Sequence, residues 1–351
     1  MEENNQNINN QNINNQKTNT CAFILKNYNQ CKNKYNKKFN DIPYCTRHYN
    51  KLLLEFNTNH IKLNDKNLFN INKITDIISL IKDLKEYSSI DYINSGTYVD
   101  VYKLIINNNI YALKYQDISN QKNMLYYEYL LLSKHLINHN NIISINTKSY
   151  YYKSKNYALL LTEYINTSFD KYILNFTSEN LLLEVKSIGI QLVKVMKYIH
   201  DKRYLYIDLK PDNIMFHNNI LKLIDFNLCI KYIDSYSKYY PNDKLKSRQG
   251  NDIYSSRNIN SGFRGVRIDD IESILYILCD ILNIDEFITI KQSKQIKVII
   301  DKKKYLFNQS YEYEFINQYI NELNKYVDND TINNKLQNKI VNYDNFIKCL
   351  E

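Results

Sequence analysis

Between Tyr206 and Asn227 the chain sets charged and amide side chains into two short polar stretches bounded by apolar runs, which few folds can accommodate. The stretch Tyr206-Ile207-Asp208-Leu209-Lys210-Pro211-Asp212-Asn213 comes first. Ile214-Met215-Phe216 and Leu221-Lys222-Leu223-Ile224 then read as short strands around the turn His217-Asn218-Asn219, and Asp225-Phe226-Asn227 follows. A carboxylate, a lysine, an amide and a second carboxylate in this order suit phosphoryl transfer, where catalysis is mainly positioning and electrostatics. Lys-Pro-Asp-Asn is also ordinary turn chemistry. A plain turn, however, does not require several chemically demanding positions to fit one template together.

The segment resembles the catalytic and metal-binding loops of protein kinases. The resemblance implies that Asp208 accepts the proton of a substrate hydroxyl and that Asn213 and Asp225 hold Mg²⁺ or Mn²⁺. Lys210 then corresponds to the lysine that steadies the γ-phosphate in serine/threonine-specific members.

Upstream, Ile93-Asn94-Ser95-Gly96-Thr97-Tyr98-Val99-Asp100-Val101-Tyr102 fits a strand, a turn and a strand in register with the family's glycine-rich loop, keeping only Gly96 of its glycines. After the turn at Asn107-Asn108-Asn109, the strand Ile110-Tyr111-Ala112-Leu113-Lys114 is similar to the Val-Ala-Ile-Lys pattern. Lys114 is thereby implied to contact the α- and β-phosphates, and Ala112 to leave room over the adenine. Glu128, in an apolar helical run, is the implied partner of Lys114. Residues 157–161 form an apolar strand leading to Thr162-Glu163-Tyr164, the implied hinge whose backbone meets the adenine edge. The nucleotide contacts implied are Ile93, Gly96, Val101, Ala112, Lys114, Glu128, Glu163, Tyr164 and Met215.

Downstream, Gly250-Asn251-Asp252-Ile253-Tyr254-Ser255-Ser256, then Gly262 and Arg267-Ile268-Asp269-Asp270-Ile271-Glu272-Ser273, resemble the casein kinase 1 and vaccinia-related kinase group, which lacks Ala-Pro-Glu. This covers roughly residues 90–350. It implies an α+β, two-lobed protein kinase fold, with a small β-rich N-lobe at about 87–163 and a larger α-helical C-lobe at about 164–351. ATP and magnesium are the implied cofactors and protein hydroxyls the implied acceptors. Asp270 is expected to open a buried helix and bond the catalytic-loop backbone, and His200 to be a packing residue. Lys244, Lys246, Arg248, Arg264 and Arg267 near the activation segment suit acidic or pre-phosphorylated substrates as well as they suit a solvated loop.

Residues 1–20 are Asn/Gln-rich without apolar periodicity and are expected to be disordered. Cys21, Cys31, Cys45 and His48 supply three thiolates and an imidazole, enough for one structural zinc, although the spacing is not that of a standard finger and reduced, unligated cysteines fit equally. The segment resembles short Cys/His-rich segments of large DNA viruses. Residues 51–86 show helical amphipathicity at Ile74, Ile77, Ile78, Ile81 and Leu84 and read as a connector. With 351 residues and 44% hydrophobic content the chain can bury a sizeable core. No apolar run approaches a membrane span and the N-terminus is polar, so no membrane partner and an intracellular location are expected. The net charge of +9 leaves nucleic acid open. The Asn, Lys, Ile and Tyr bias, with only 5 Gly and 3 Pro, suits an AT-rich genome and, with the vaccinia-related resemblance, a viral source acting in host cytoplasm or virion.

Three departures bear on activity. Asn227 stands where the family has glycine, and Asn is the side chain that best tolerates left-handed backbone geometry. Ile207 stands where an arginine receives an activation-loop phosphate, so activity is expected to be independent of that phosphate. Asn251 replaces a threonine that bridges the catalytic aspartate and lysine. A serine/threonine kinase is the reading these residues support; the alternative is a nucleotide-binding pseudokinase serving as a regulatory scaffold.

Overall fold

The computed structural model describes residues 37–39, 42–44, 77–78, 87–96, 98–145, 151–241, 243–326 and 340–351. The expected disordered tract and the four Cys/His residues Cys21, Cys31, Cys45 and His48 lie outside these residues, as does most of the connector. The chain divides into two units, Met1–Lys85 and Glu86–Glu351. In the first, strands β1 (Lys37–Phe39) and β2 (Ile42–Tyr44) pair antiparallel, Lys37 opposite Tyr44, and Ile77 and Ile78 are helical and buried.

The second unit opens with an antiparallel five-stranded sheet. Its strands are β3 (Tyr87–Ser95), β4 (Asp100–Ile106), β5 (Asn109–Asp117), β6 (Tyr151–Lys153) and β7 (Tyr157–Glu163), in the order β3-β4-β5-β7-β6. β4 and β5 meet at a two-residue turn with Asn107 and Asn108 at φ 47° and 64°, the left-handed pair that a tight hairpin requires. Alternation then sorts the side chains. Tyr102, Leu104, Leu113, Tyr115, Leu159 and Leu161 share one buried face, which leaves Val101, Ala112, Lys114 and Gln116 on the other.

Helix α1 (Met124–Lys134) is capped by Asn123, whose side chain accepts from the N–H of Tyr126. The buried Gln116 adds a second cap, its Oε1 accepting from the N–H groups of Met124 at 2.8 Å and Leu125 at 3.2 Å. Because Gln116 and Lys114 lie on the same face of β5, this cap fixes where α1 starts relative to Lys114.

The remainder is mainly helical. After β8 (Thr167–Ser168) and α2 (Phe169–Ile173), helix α3 (Leu181–Asp201) buries Val185, Ile188, Leu192, Val195, Met196 and Ile199, the spacing of one helical face. Short strands follow: β9 (Tyr204–Leu205), β10 (Ile214–His217), β11 (Ile220–Leu223) and β12 (Ile230–Lys231). β10 and β11 form the expected hairpin, and its turn again uses left-handed asparagines, Asn218 and Asn219. Then come α4 (Arg257–Asn260), α5 (Arg267–Ile281), α6 (Asp285–Lys291), α7 (Ile296–Leu306), α8 (Glu314–Asn324) and α9 (Tyr343–Leu350). Helix α5 is buried along most of its length, its polar first turns included, because Asp269, Asp270 and Glu272 find hydrogen-bond or ion-pair partners there. Among the described residues no helix is long and apolar enough to cross a membrane.

Candidate active site

The catalytic loop enters through a backbone that L-residues avoid. Ile207 has φ 73°, an outlier for a β-branched side chain costing about 1–3 kcal/mol. Asp270, at the start of α5, holds it there: Oδ2 accepts from the N–H of Tyr206 and Oδ1 from the N–H of Ile207, both at 2.8 Å. This is the expected contact. The same Oδ2 meets His200 Nε2 at 2.8 Å, while His200 Nδ1 meets the Tyr343 hydroxyl at 2.6 Å. His200 therefore packs and also ties α3, α5 and α9 together.

Asp208, 8% exposed, has both carboxylate oxygens engaged. Lys210 Nζ lies 2.9 Å from Oδ2, and Asn213 Nδ2 donates to Oδ2 at 3.1 Å and to the Asp208 carbonyl at 2.8 Å. Asn251 Nδ2 donates to Oδ1 at 3.1 Å and to the Leu209 carbonyl at 3.4 Å. The residue in the threonine's place thus still reaches the aspartate. Partial burial opposes the charge of Lys210, but Asp208 next to it outweighs this and raises the lysine's pKa.

Opposite this loop, Lys114 Nζ and Glu128 Oε1 form a buried ion pair at 2.7 Å. Burial disfavours the ammonium, yet Glu128 and Asp225 hold its pKa above the ordinary lysine value. Glu128 Oε1 also accepts from the N–H of Phe226 at 3.2 Å, so one carboxylate joins α1, β5 and the Asp225-Phe226-Asn227 segment. Phe226 is fully buried and meets Tyr206 edge-on, ring centroids 5.3 Å apart. The Tyr206 hydroxyl donates to the Ile224 carbonyl at 2.6 Å.

The Asp225-Phe226-Asn227 segment turns without left-handed geometry at Asn227. The left-handed residue is Asp225, φ 59°, and Asn227 is not among the residues with positive φ. The turn forms at the aspartate, whose Oδ1 accepts from the N–H of Asn227 at 3.2 Å, so position 227 needs no glycine-like freedom. Within the described residues, Asp225 Oδ2 and Asn213 Oδ1 make no hydrogen bond. A carboxylate oxygen and an amide oxygen left over in this way suit a hard divalent cation that takes its remaining ligands from phosphate and water. The residues present fit Mg²⁺ with a nucleoside triphosphate.

Of the implied nucleotide contacts, Val101, Ala112 and Lys114 fall on adjoining strands. Val101 pairs with both Asn94 and Lys114, and Ala112 with Thr162. Gly96 closes the β3–β4 turn, its N–H donating to the Val99 carbonyl at 2.8 Å. A Cβ there would stand 3.3 Å from that oxygen. Ile93 is 46% exposed beside this turn. Met215 lies on β10, opposite Ser168 and Lys222. The Glu163 side chain is tied to Ser144 Oγ and Lys222 Nζ, each at 2.7 Å, so its contribution to a hinge is through backbone. Tyr164 carries Lys103 Nζ 5.6 Å from its ring centroid.

Sequence reading missed the buried charges that support this site. Arg257 and Glu272 pair at 3.1 Å, the Tyr276 hydroxyl donates to Glu272 at 2.6 Å, and the Arg257 guanidinium lies 3.5 Å from the Phe307 ring centroid. Asp269, pushed up to about 7 by burial against the pull of its hydrogen bonds, takes Ser256 Oγ, Asn258 Nδ2 and the N–H of Val266. The available signal was charge on otherwise apolar helix faces: Lys303 lies in line with the buried Ile299 and Leu306 of α7.

A sheet-built lobe presenting a lysine–glutamate pair, and a helical lobe presenting an aspartate held by lysine and asparagine, define a nucleotide-dependent phosphotransferase. The family model for the protein kinase domain matches residues 87–333. The chain belongs to the protein kinase family. It is also similar to a probable casein kinase I homologue of Encephalitozoon cuniculi (strain GB-M1), 37% identical over 92 residues that are 26% of this chain and 29% of that relative.

Proposed function

We propose that this protein is a serine/threonine protein kinase of casein kinase 1 type, transferring the γ-phosphate of ATP to protein hydroxyls. The observation that carries this reading is the set of contacts on Asp208, with Lys210 and Asn213 on Oδ2 and Asn251 on Oδ1. Held so, the carboxylate is oriented without losing its capacity to accept a hydroxyl proton. Mg-ATP supplies the transferable phosphoryl group and the divalent charge that offsets the phosphate oxygens. Lys114, braced by Glu128, positions the phosphates, and Lys210 lies close enough to Asp208 to steady the group being transferred. Asn213 and Asp225 offer their unused oxygens to the cation. The serine/threonine preference rests on Lys210, and the casein kinase 1 character on the partial likeness to the Encephalitozoon relative and on the segment from Gly250 to Ser273.

The test is transfer of labelled phosphate from ATP, with Mg²⁺ or Mn²⁺, to the protein itself and to casein. In the Asp208→Asn variant label is expected to vanish while ATP binding stays within about threefold, since removing the base leaves the ground-state contacts in place. Transfer retained in that variant would sink the assignment of Asp208. ATP binding without transfer by the unaltered protein would point to the pseudokinase.

A further inference from the structure

Lys303 of α7 is fully buried, and no carboxylate bonds it directly. Its Nζ donates to the carbonyl of Ser255 at 2.5 Å, to Asn260 Oδ1 at 2.7 Å and to the carbonyl of Asp252 at 3.2 Å, and it lies 4.4 Å from the Tyr276 ring centroid. An ammonium has three donors and no acceptor; the three oxygens and the aromatic face favour that form, while burial works against it and pulls the lysine's pKa down to about 7. All three oxygens belong to the segment from Gly250 to the end of α4.

That segment touches the catalytic aspartate. Ser255 Oγ accepts from the N–H of Asn251 at 3.0 Å, and Asn251 Nδ2 donates to Asp208 Oδ1 at 3.1 Å. Asn260 Nδ2 adds a long contact of 3.5 Å to the Asn251 carbonyl. The approach to the catalytic loop is too close for a side chain at Gly250: φ is 66°, and a Cβ would stand 2.3 Å from Ser255 Oγ and 3.0 Å from the Ile207 carbonyl. The segment is therefore pressed against the catalytic loop on one side and held by the single amine of Lys303 on the other. Its only link into the Asp208 carboxylate among the described residues is Asn251.

We propose that Lys303 is a positioning residue for phosphoryl transfer: by gathering the Asp252, Ser255 and Asn260 oxygens it fixes Asn251, which in turn sets the Asp208 carboxylate. The proposal rests on the reading of Asp208 as the base. It makes α7, far from the nucleotide strands, a determinant of turnover and not of ATP affinity. Lysine suits this task better than an apolar residue, because one flexible side chain satisfies the buried Ser255 carbonyl and Asn260 Oδ1, which would otherwise be left unpaired, and reaches the Asp252 carbonyl as well.

The experiment compares the full chain with Lys303→Met, Asn251→Ala and the double variant, by steady-state transfer to casein and by hydrogen exchange. Expected are a fall in kcat of about tenfold for Lys303→Met, a KM for ATP within about twofold of the unaltered protein, and a double variant no slower than Asn251→Ala alone, the signature of residues acting as a unit. Amide exchange should quicken in residues 250–256 and stay unchanged in α5. Multiplicative losses in the double variant, an unchanged kcat, or exchange quickened throughout the helical lobe would each overturn the proposal, the last by showing a merely structural role. If Lys303→Met does not fold, Asn260→Ala removes one of the three oxygens and is read in the same way. If the unaltered protein transfers no phosphate, the kinase reading fails, while the exchange comparison still decides whether Lys303 fixes Asn251.

Discussion

The β3–β4 turn and the loop from Tyr206 to Asn213 both meet phosphate in the proposed reaction, and they are held in opposite ways. The catalytic loop is fixed by side chains distant in sequence: Asp270 on the Tyr206 and Ile207 amides, Asn251 on Asp208, and Phe226 against Tyr206. The β3–β4 turn is fixed by its own neighbours. Gly96 N–H meets the Val99 carbonyl, Ser95 N–H meets Asn94 Oδ1 and Ser95 Oγ meets Asp100. Ile93 and Tyr98 beside it are 46% and 55% exposed. An exposed turn tolerates altered side chains because each change disturbs few contacts, whereas a strained, buried loop depends on each partner. Gly96 is the one glycine in this turn and its flanking residues 93–102. In the catalytic loop Tyr206 and Ile207 are held by the Tyr206 hydroxyl on the Ile224 carbonyl and by packing of Ile207 with Leu205 and Ile259.

Glu128 links a neighbour of each region, since its Oε1 takes both Lys114, which pairs with Val101 of β4, and the N–H of Phe226, whose ring packs on Tyr206. Glu128→Gln keeps the volume and the acceptor but removes the charge that faces Lys114. kcat/KM for ATP is expected to fall on the order of 100-fold, the scale of a misplaced reactant, in steady-state transfer to casein. A fall below about threefold would break the comparison, because the phosphates would then be held by the turn and not by the ion pair.

A smaller effect is expected at Asp270. Asp270→Asn presents one oxygen where two backbone N–H groups and His200 now meet a carboxylate. Leaving one buried N–H unpaired costs roughly 1–3 kcal/mol, which for a domain of this size lowers Tm by about 5 °C. Transfer should drop by about tenfold as Ile207 relaxes out of its left-handed geometry. Unchanged Tm and rate would show that the strain at Ile207 is held by packing alone.

How much of this was legible in the sequence follows the same division. Local signals were sufficient for the hairpins: in a chain with 5 glycines, the asparagine pairs at 107–108 and 218–219 marked the turns, because Asn tolerates positive φ. Asp208, Lys210, Asn213 and Asp225 were legible because the chemistry demands those side chains at that spacing. Residues acting across long sequence separation were not. The Gln116 cap that aligns α1 with Lys114, the double use of His200, and Lys303 beneath Ser255 each depend on which face of an element is buried. A single polar residue on an apolar face states that only weakly. The left-handed backbone of Asp225 was not legible for a related reason: which residue of a polar turn takes positive φ depends on the turn's closure, here the Asn227 N–H on Asp225 Oδ1.

The smallest effect is expected in the turn itself. Asn94 is exposed, stands where the family carries a glycine, and its one described side-chain bond is to the N–H of Ser95. Asn94→Gly removes that bond and frees the backbone, two changes that oppose each other. The lost exposed hydrogen bond is worth about 0.5–1.5 kcal/mol, and glycine adds entropy to the open turn that binding must then remove. Closer approach to phosphate works the other way. KM for ATP is therefore expected to change by less than about threefold, under roughly 0.7 kcal/mol, with kcat unaltered. A tenfold fall in KM would show that Asn94 holds the turn away from the nucleotide. The erosion of the glycine loop would then limit the enzyme, and the exposed turn would matter as much as the buried loop opposite it.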